Sequence, residues 1–135
     1  MRFPEGMVRI PVLPRAARIA GAVAVAGVIF YFSVFVPPGV PSGFPETILG
    51  FFLDKWLHFA AYAALAAALG YASLAPGYRL VRRELALVFL VALGYGASIE
   101  LVQAMLPGRA FSVADMVANG IGAALGTGPW RLLQG

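Results

Sequence analysis

Nine polar residues in this chain gather at the edges of apolar stretches, and their spacing is helical. Asp54 and His58 are separated by four residues, Glu100 and Gln103 by three, and Asp115 and Asn119 by four. Each spacing puts both members on one helical face. Lys55 stands beside Asp54, while Arg109 and Ser112 lead into the Asp115 pair. Residues of these types support three kinds of chemistry. Lys55 and Arg109 suit an anionic headgroup, with Glu100, His58, Asp115 and Asn119 as hydrogen-bonding partners and Asp54, Gln103 and Ser112 beside them as further ligand-binding candidates. His58 and Glu100 suit acid–base work in an intramembrane lipid phosphohydrolase or transferase, which makes Glu100, His58 and Asp115 the catalytic candidates. The same three residues could hold a divalent metal, Mg or Mn in preference to Zn, because one imidazole stands among carboxylates. A small transporter is a third class. No resident cofactor or metal is expected, and a divalent metal is the one group for which ligands exist.

Several of these residues also have structural readings. Asp54 fits a helix N-cap, and Ser112 with Asp115 fits the S-x-x-D capping pattern. Lys55 suits an interfacial lysine with a buried stem. Trp56 suits an aromatic anchor at the membrane interface. His58 and Asn119 could be core hydrogen-bonders. Glu100 has no capping role, since it falls inside an apolar segment. It is either paired with Arg109, Lys55 or His58, or it carries a proton.

Composition narrows the classes. There are no cysteines and one histidine, so thiolate catalysis, disulfides and thiolate metal sites are excluded. No serine or threonine is evidently paired with His58, which leaves a nucleophile–base dyad without support. The multi-arginine, two-histidine pattern of membrane acid phosphatases is missing. So is the first-span glutamate of small proton-coupled exporters. The net charge is +4, but the positive residues flank apolar segments instead of forming one basic face, which argues against nucleic acid.

The elements that carry these residues are apolar. Hydrophobic residues make up 61% of the chain and charged residues 12%, with a mean hydropathy of +0.84. A helix needs about 20 apolar residues to cross the hydrocarbon core. The expectation is an all-α polytopic membrane protein, a bundle of four transmembrane helices with spans at about 16–36, 54–74, 84–106 and 113–132. Residues 1–15 form a cytoplasmic N-terminal segment, and 16–135 the transmembrane domain. The first span, which ends at Pro37-Pro38, is read as retained. It is longer than the roughly 7–15-residue apolar region of a signal peptide. The loop Pro37–Leu53 contains Pro37, Pro38, Pro41 and Pro45 and is expected to be irregular and interfacial.

Lysine and arginine positions give an orientation. With a cytoplasmic N-terminus, Arg2, Arg9, Arg15, Arg18, Arg79, Arg82, Arg83 and Arg131 lie inside, and Lys55 and Arg109 outside. Eight against two is a clear positive-inside bias, and four spans place both termini in the cytoplasm. All three polar pairs then fall at one depth near the outer face. Glu100 lies roughly 10 Å below Pro107 at about 1.5 Å rise per residue. It therefore needs partners or a water-filled cavity. Ionisable groups at such depth are a functional-site hypothesis by default. Spans two and four are rich in small residues, including Gly122 and Gly126 in a GxxxG pattern. These favour close helix packing and helix-mediated homo-oligomers.

The ordered set of motifs resembles the VanZ-like family. The residues are Asp54-Lys55-Trp56-Leu57-His58-Phe59 with Tyr62, then Glu100-Leu101-Val102-Gln103, Pro107-Gly108-Arg109, Ser112-Val113-Ala114-Asp115 and Asn119-Gly120-Ile121-Gly122. The resemblance covers about residues 51–126. It implies a small, multi-pass integral protein of the bacterial plasma (inner) membrane, connected with the cell envelope. The family's founding member is associated with low-level resistance to the glycopeptide teicoplanin. The expected function is binding of an anionic, lipid-linked or envelope ligand at an outer-leaflet polar site, with a bearing on glycopeptide susceptibility. The intramembrane enzyme is the alternative.

Overall fold

A computed structural model describes residues 5–37, 39 and 42–135. Arg2, Pro38 and Pro41, used in the expectations above, lie outside the described residues. The chain forms four α-helices: α1 (Arg15–Val34), α2 (Leu53–Ser73), α3 (Arg82–Ala104) and α4 (Val113–Thr127). Two of them, α1 and α3, are long and apolar enough to cross a membrane. Only 17% and 28% of their most apolar windows are buried within the molecule, so neither is the enclosed core helix of a bundle.

The fourth helix is shorter than the expected 113–132 span. Its α-helical part stops at Thr127, and a 3₁₀ turn continues over Gly128–Arg131. Pro129 has no N–H to donate to the carbonyl one turn back, so the α-ladder cannot pass it. Trp130, carried by that turn, is buried against Gly70.

Four two-residue strands were not expected. β1 (Val8–Arg9) runs parallel to β4 (Leu133–Gln134), tying the start of the described chain to its last residues. β2 (Thr47–Ile48) and β3 (Phe51–Phe52) form a hairpin just before α2. Its turn residues Leu49 and Gly50 both have positive φ, 52° and 81°, as the type I′ hairpin turn requires. Trp56 fastens this hairpin to α2 through Nε1–H donated to Ile48 O at 2.8 Å.

Helices α2 and α4 pack together more extensively than any other pair and run parallel. His58 meets Asn119, Phe59 meets Gly122, Ala63 meets Gly126, and Gly70 meets Trp130, a nearly constant offset along both helices. The GxxxG face provides this contact. A Cβ on Gly122 would lie 2.5 Å from Phe59 O, and one on Gly126 would collide with Ala63 O. The small-residue face is therefore occupied within the chain. Helices α1 and α3 run parallel to each other and antiparallel to this pair. Tyr95 Oη donates to Ala26 O at 2.5 Å, and Gln103 Nε2 donates to Ser33 O at 2.9 Å.

The last carbonyls of α1 and α2 have no basic residue of their own helix in the last turn. Arginines from elsewhere supply the missing donors. Arg18, only 7% exposed, donates to Tyr71 O at 3.1 Å, Ala72 O at 3.0 Å and Leu74 O, and so closes α2. Orphan carbonyls at a helix C-terminus carry partial negative charge, so a guanidinium there is favourable twice over.

The glycine contact makes a direct test. In Gly126→Ala the new methyl has nowhere to go but into the α2 backbone, at a cost of about 1–3 kcal/mol. Gly120→Ala adds a methyl that meets Leu93 Cδ1 at an ordinary 3.6 Å. Thermal unfolding in detergent should show a midpoint several degrees lower for Gly126→Ala. It should be unchanged or raised for Gly120→Ala.

Candidate functional site

The end of the bundle where α2 and α4 begin gathers most of the polar residues singled out above. Helix α2 starts at Leu53 with no side-chain cap, so Asp54 is not the N-cap but lies in the first turn. Lys55 Nζ bridges two carboxylates, donating to Asp54 Oδ2 at 2.7 Å and to Asp115 Oδ1 on α4. One turn on, His58 Nδ1 lies 2.6 Å from Asn119 Oδ1, and His58 Nε2 lies 3.7 Å from Asp115 Oδ2. The parallel α2–α4 register produces both links, since Lys55–Asp115 and His58–Asn119 lie one turn apart at offsets of 60 and 61 residues. Ser112 is the N-cap of α4, its side chain accepting from Asp115 N at 3.1 Å, as the S-x-x-D pattern predicts.

Glu100 approaches from α3 and is 1% exposed. It is not ion-paired with Arg109, Lys55 or His58. Its Oε2 accepts from Ser112 N at 3.0 Å instead. A buried carboxylate thus rests on the start of α4, where unsatisfied N–H groups and the helix dipole favour negative charge. Its Oε1 is buried without a hydrogen-bond partner, as are Asn119 Nδ2 and Tyr62 Oη. Asn119 and the Tyr62 ring meet beside Gly96, one turn before Glu100 on α3. A Cβ there would lie 2.9 Å from both Asn119 Nδ2 and Tyr62 Cε1. The Tyr62 ring is parallel to His58, with centroids 6.5 Å apart.

Two expected members of the cluster turn elsewhere. Arg109 donates from Nη1 to Ser33 O and from Nη2 to Val36 O at 2.8 Å, closing the C-terminal end of α1. Gln103 donates to the same Ser33 carbonyl. Arg109 follows a Pro-Gly turn in which Gly108 takes φ of +74°, and this turn aims the guanidinium back at α1. Its partners are carbonyls and not carboxylates, so its charge is not neutralised by Glu100 or Asp115. Sequence spacing could not reveal this, because the acceptors are main-chain atoms.

Chemically, the site offers a bridged carboxylate pair, an oriented imidazole and three unpartnered buried polar atoms. No hydrogen bond joins His58 to Glu100 among the described residues, so the two are not a directly coupled acid–base pair. Asp54, His58 and Asp115 hold donor atoms within 4.8 Å of one another, a set different from the Glu100, His58 and Asp115 expected for a metal. Tyr62 and Gly96 are additions to the site. Tyr62 stands four residues after His58, and Gly96 four before Glu100, so a helical reading of either polar residue would have reached them.

The Arg109 cap makes a measurable prediction. Arg109→Met leaves Val36 O without a donor and Ser33 O with Gln103 alone, which should cost about 1–3 kcal/mol of stability. Arg109→Lys should recover only part of it, since one ammonium replaces a two-pronged fork. Thermal melts of the two variants beside the wild type give the comparison.

Neither a curated protein nor a solved structure matches the chain significantly. A family model described as VanZ/LLP1 matches residues 18–134, from the buried arginine that closes α2 to the last strand. That span includes α2, α3, α4, all of α1 after its first three residues, and every residue of the polar end. Together with the two helices able to span a membrane, it suggests a membrane protein. By this match over nearly its whole length, the chain belongs to the VanZ/LLP1 family.

Proposed function

We propose that the protein crosses a bacterial inner membrane four times, with both ends cytoplasmic, and binds an anionic, lipid-linked envelope ligand at its outer-leaflet polar end. The outward faces of all four helices support the membrane placement. Val23, Phe30, Leu57, Leu90, Leu101, Val117 and Leu125 are each at least 40% exposed, which is costly in water and ordinary in lipid. The distribution of Lys and Arg, eight against two, supports the orientation.

One observation carries the ligand reading. Glu100 Oε1, Asn119 Nδ2 and Tyr62 Oη are buried at one end of an apolar bundle with no partner. An unmet buried donor or acceptor costs about 1–3 kcal/mol. A ligand bearing hydroxyl groups and an acidic headgroup would meet all three. The Arg109 guanidinium, held by carbonyls that leave its charge intact, supplies attraction for the acid. Binding is favoured over the hydrolase or transferase reading because His58 and Glu100 are committed to Asn119 and Ser112 respectively. An effect on glycopeptide susceptibility belongs to this reading, carried over from what the family resemblance implies.

Two experiments test it. Native mass spectrometry of gently extracted protein should show an acidic lipid with the wild type that is lost in Glu100→Gln, a change that keeps shape and membrane insertion. Equal lipid retention in the two would overturn the site. The chain has no cysteine, so single reporters settle orientation. Ala110→Cys should react with an impermeant maleimide in intact cells, and Pro76→Cys only after permeabilisation; the reverse pattern overturns the topology.

A further inference from the structure

The opposite end of the bundle holds a groove of about 650 Å³ between the start of α3 and the 3₁₀ turn that follows α4. Arg79, Arg82 and Arg131 line it, together with Leu80, Val81 and Leu85. The fold explains why arginines distant in sequence meet there. Pro129 stops the α-helical ladder of α4, and Trp130 is buried against Gly70, so the turn is pinned beside α3 with Arg131 at its end. Arg79 and Arg82 come from the short link that opens α3.

These guanidiniums differ from those of Arg18 and Arg109, which main-chain carbonyls occupy. Among the described residues, no hydrogen bond or ion pair engages Arg82 or Arg131, and Arg79 Nη1 meets only the thioether of Met7, at 3.9 Å. Glu84, the acid nearest in sequence, is taken by Val81 N–H at 2.9 Å and by the Tyr78 hydroxyl. Three like charges around one hollow repel one another until an anion lies among them. Each also offers the two-pronged fork of donors that matches a phosphate. The floor is different in kind. Leu80 is 5% exposed, and Leu80 and Leu85 belong to the apolar cluster around Leu74 and Trp130. A cationic rim over an apolar floor fits an amphiphile, whereas a free phosphate has nothing to place against leucine.

We infer that this groove binds the headgroup of an anionic phospholipid, with the phosphate among Arg79, Arg82 and Arg131 and the glycerol backbone over Leu80 and Leu85. The inference rests on the membrane placement proposed above, which puts this end at the cytoplasmic leaflet. Basic pockets between membrane helices on that side are where anionic headgroups gather. It does not rest on a ligand at the polar end, which lies at the other end of α2. The same arginines count toward the positive-inside balance. That role needs only charge at the right depth, and Arg83 separates the two: it is exposed, stands next to Arg82 and does not line the groove.

The test is native mass spectrometry of the full chain in detergent, titrated with phosphatidylglycerol or with phosphatidylcholine of the same acyl chains. All variants carry Glu100→Gln. Lipid that survives this change and is lost with the arginines belongs to the groove, whatever becomes of the polar-end reading. Detergent has no leaflets, so an error in the topology leaves the result intact and shows only in the cysteine reporters. Phosphatidylglycerol should bind saturably, one per chain, and phosphatidylcholine far more weakly. Arg82→Gln with Arg131→Gln should weaken phosphatidylglycerol binding about tenfold or more, on the order expected for two basic residues at a membrane surface. Arg83→Gln, which removes the same charge beside the groove, should leave it nearly unchanged. If circular dichroism shows the double variant unfolded, Arg82→Lys with Arg131→Lys takes its place and should lose part of the binding, since the forks are gone while the charges stay. Equal affinity for the two lipids, no loss in the double variant, an equal loss in Arg83→Gln, or displacement of the lipid by inorganic phosphate would each overturn the proposal.

Discussion

Gly122 and Gly126 let the α4 backbone rest on the main chain of Phe59 and Ala63, and that contact fixes the register of α2 against α4. In lipid, helices gain little from excluding one another's apolar side chains, so close backbone approach is a main source of association. The register has a chemical result. Because the helices run parallel at a nearly constant offset, the first turns of both fall side by side, and Lys55 reaches Asp115 as His58 reaches Asn119. Sliding α4 by one residue along α2 would rotate Asp115 and Asn119 away by about 100°. The glycines thus place the titratable groups without touching them.

The polar end shows a division of labour among helix termini. Glu100 is buried and takes its hydrogen bond from the start of α4 through Ser112 N–H, not from a lysine or arginine. This leaves both cations near that end for other acceptors. Arg109 serves the carbonyls that end α1, and Lys55 serves two carboxylates. Oriented main-chain dipoles therefore do part of the work that ion pairs were expected to do. They cost less to bury than a second full charge would.

Much of the fold was legible because its signals are local. Apolar runs bounded by Pro76-Gly77 and Pro107-Gly108 give four helices in order, and the Gly122–Gly126 spacing gives the tight α2–α4 contact. The polar end was legible from helical spacing, with Asp54, Lys55, His58, Asp115 and Asn119 brought together as their periodicity implies. The targets of Arg18, Arg109 and Gln103 were not, because each donates to main-chain carbonyls 53 to 76 residues away, or five in the case of Leu13. Every residue has such a carbonyl, so no side-chain pattern marks them. The early end of α4 was half visible: Gly126, Gly128 and Pro129 stood out as interruptions, but Trp130 packing on Gly70 is a tertiary matter. The two-residue strands are too short to leave an alternation.

The two arginine caps also bear on the order in which the molecule is made. Arg18 meets its carbonyls at residues 71, 72 and 74, so the α1–α2 clasp is complete once the ribosome has passed α2. The clasp at the other end of α1 waits for residue 109, after all of α3 has been synthesised. Before residue 109, Gln103 can serve Ser33 O, but Val36 O lacks its donor. The parallel partner of α2 arrives later still, with α4. The Arg18 clasp thus needs no residue beyond 74, whereas the polar end needs every residue up to Asn119.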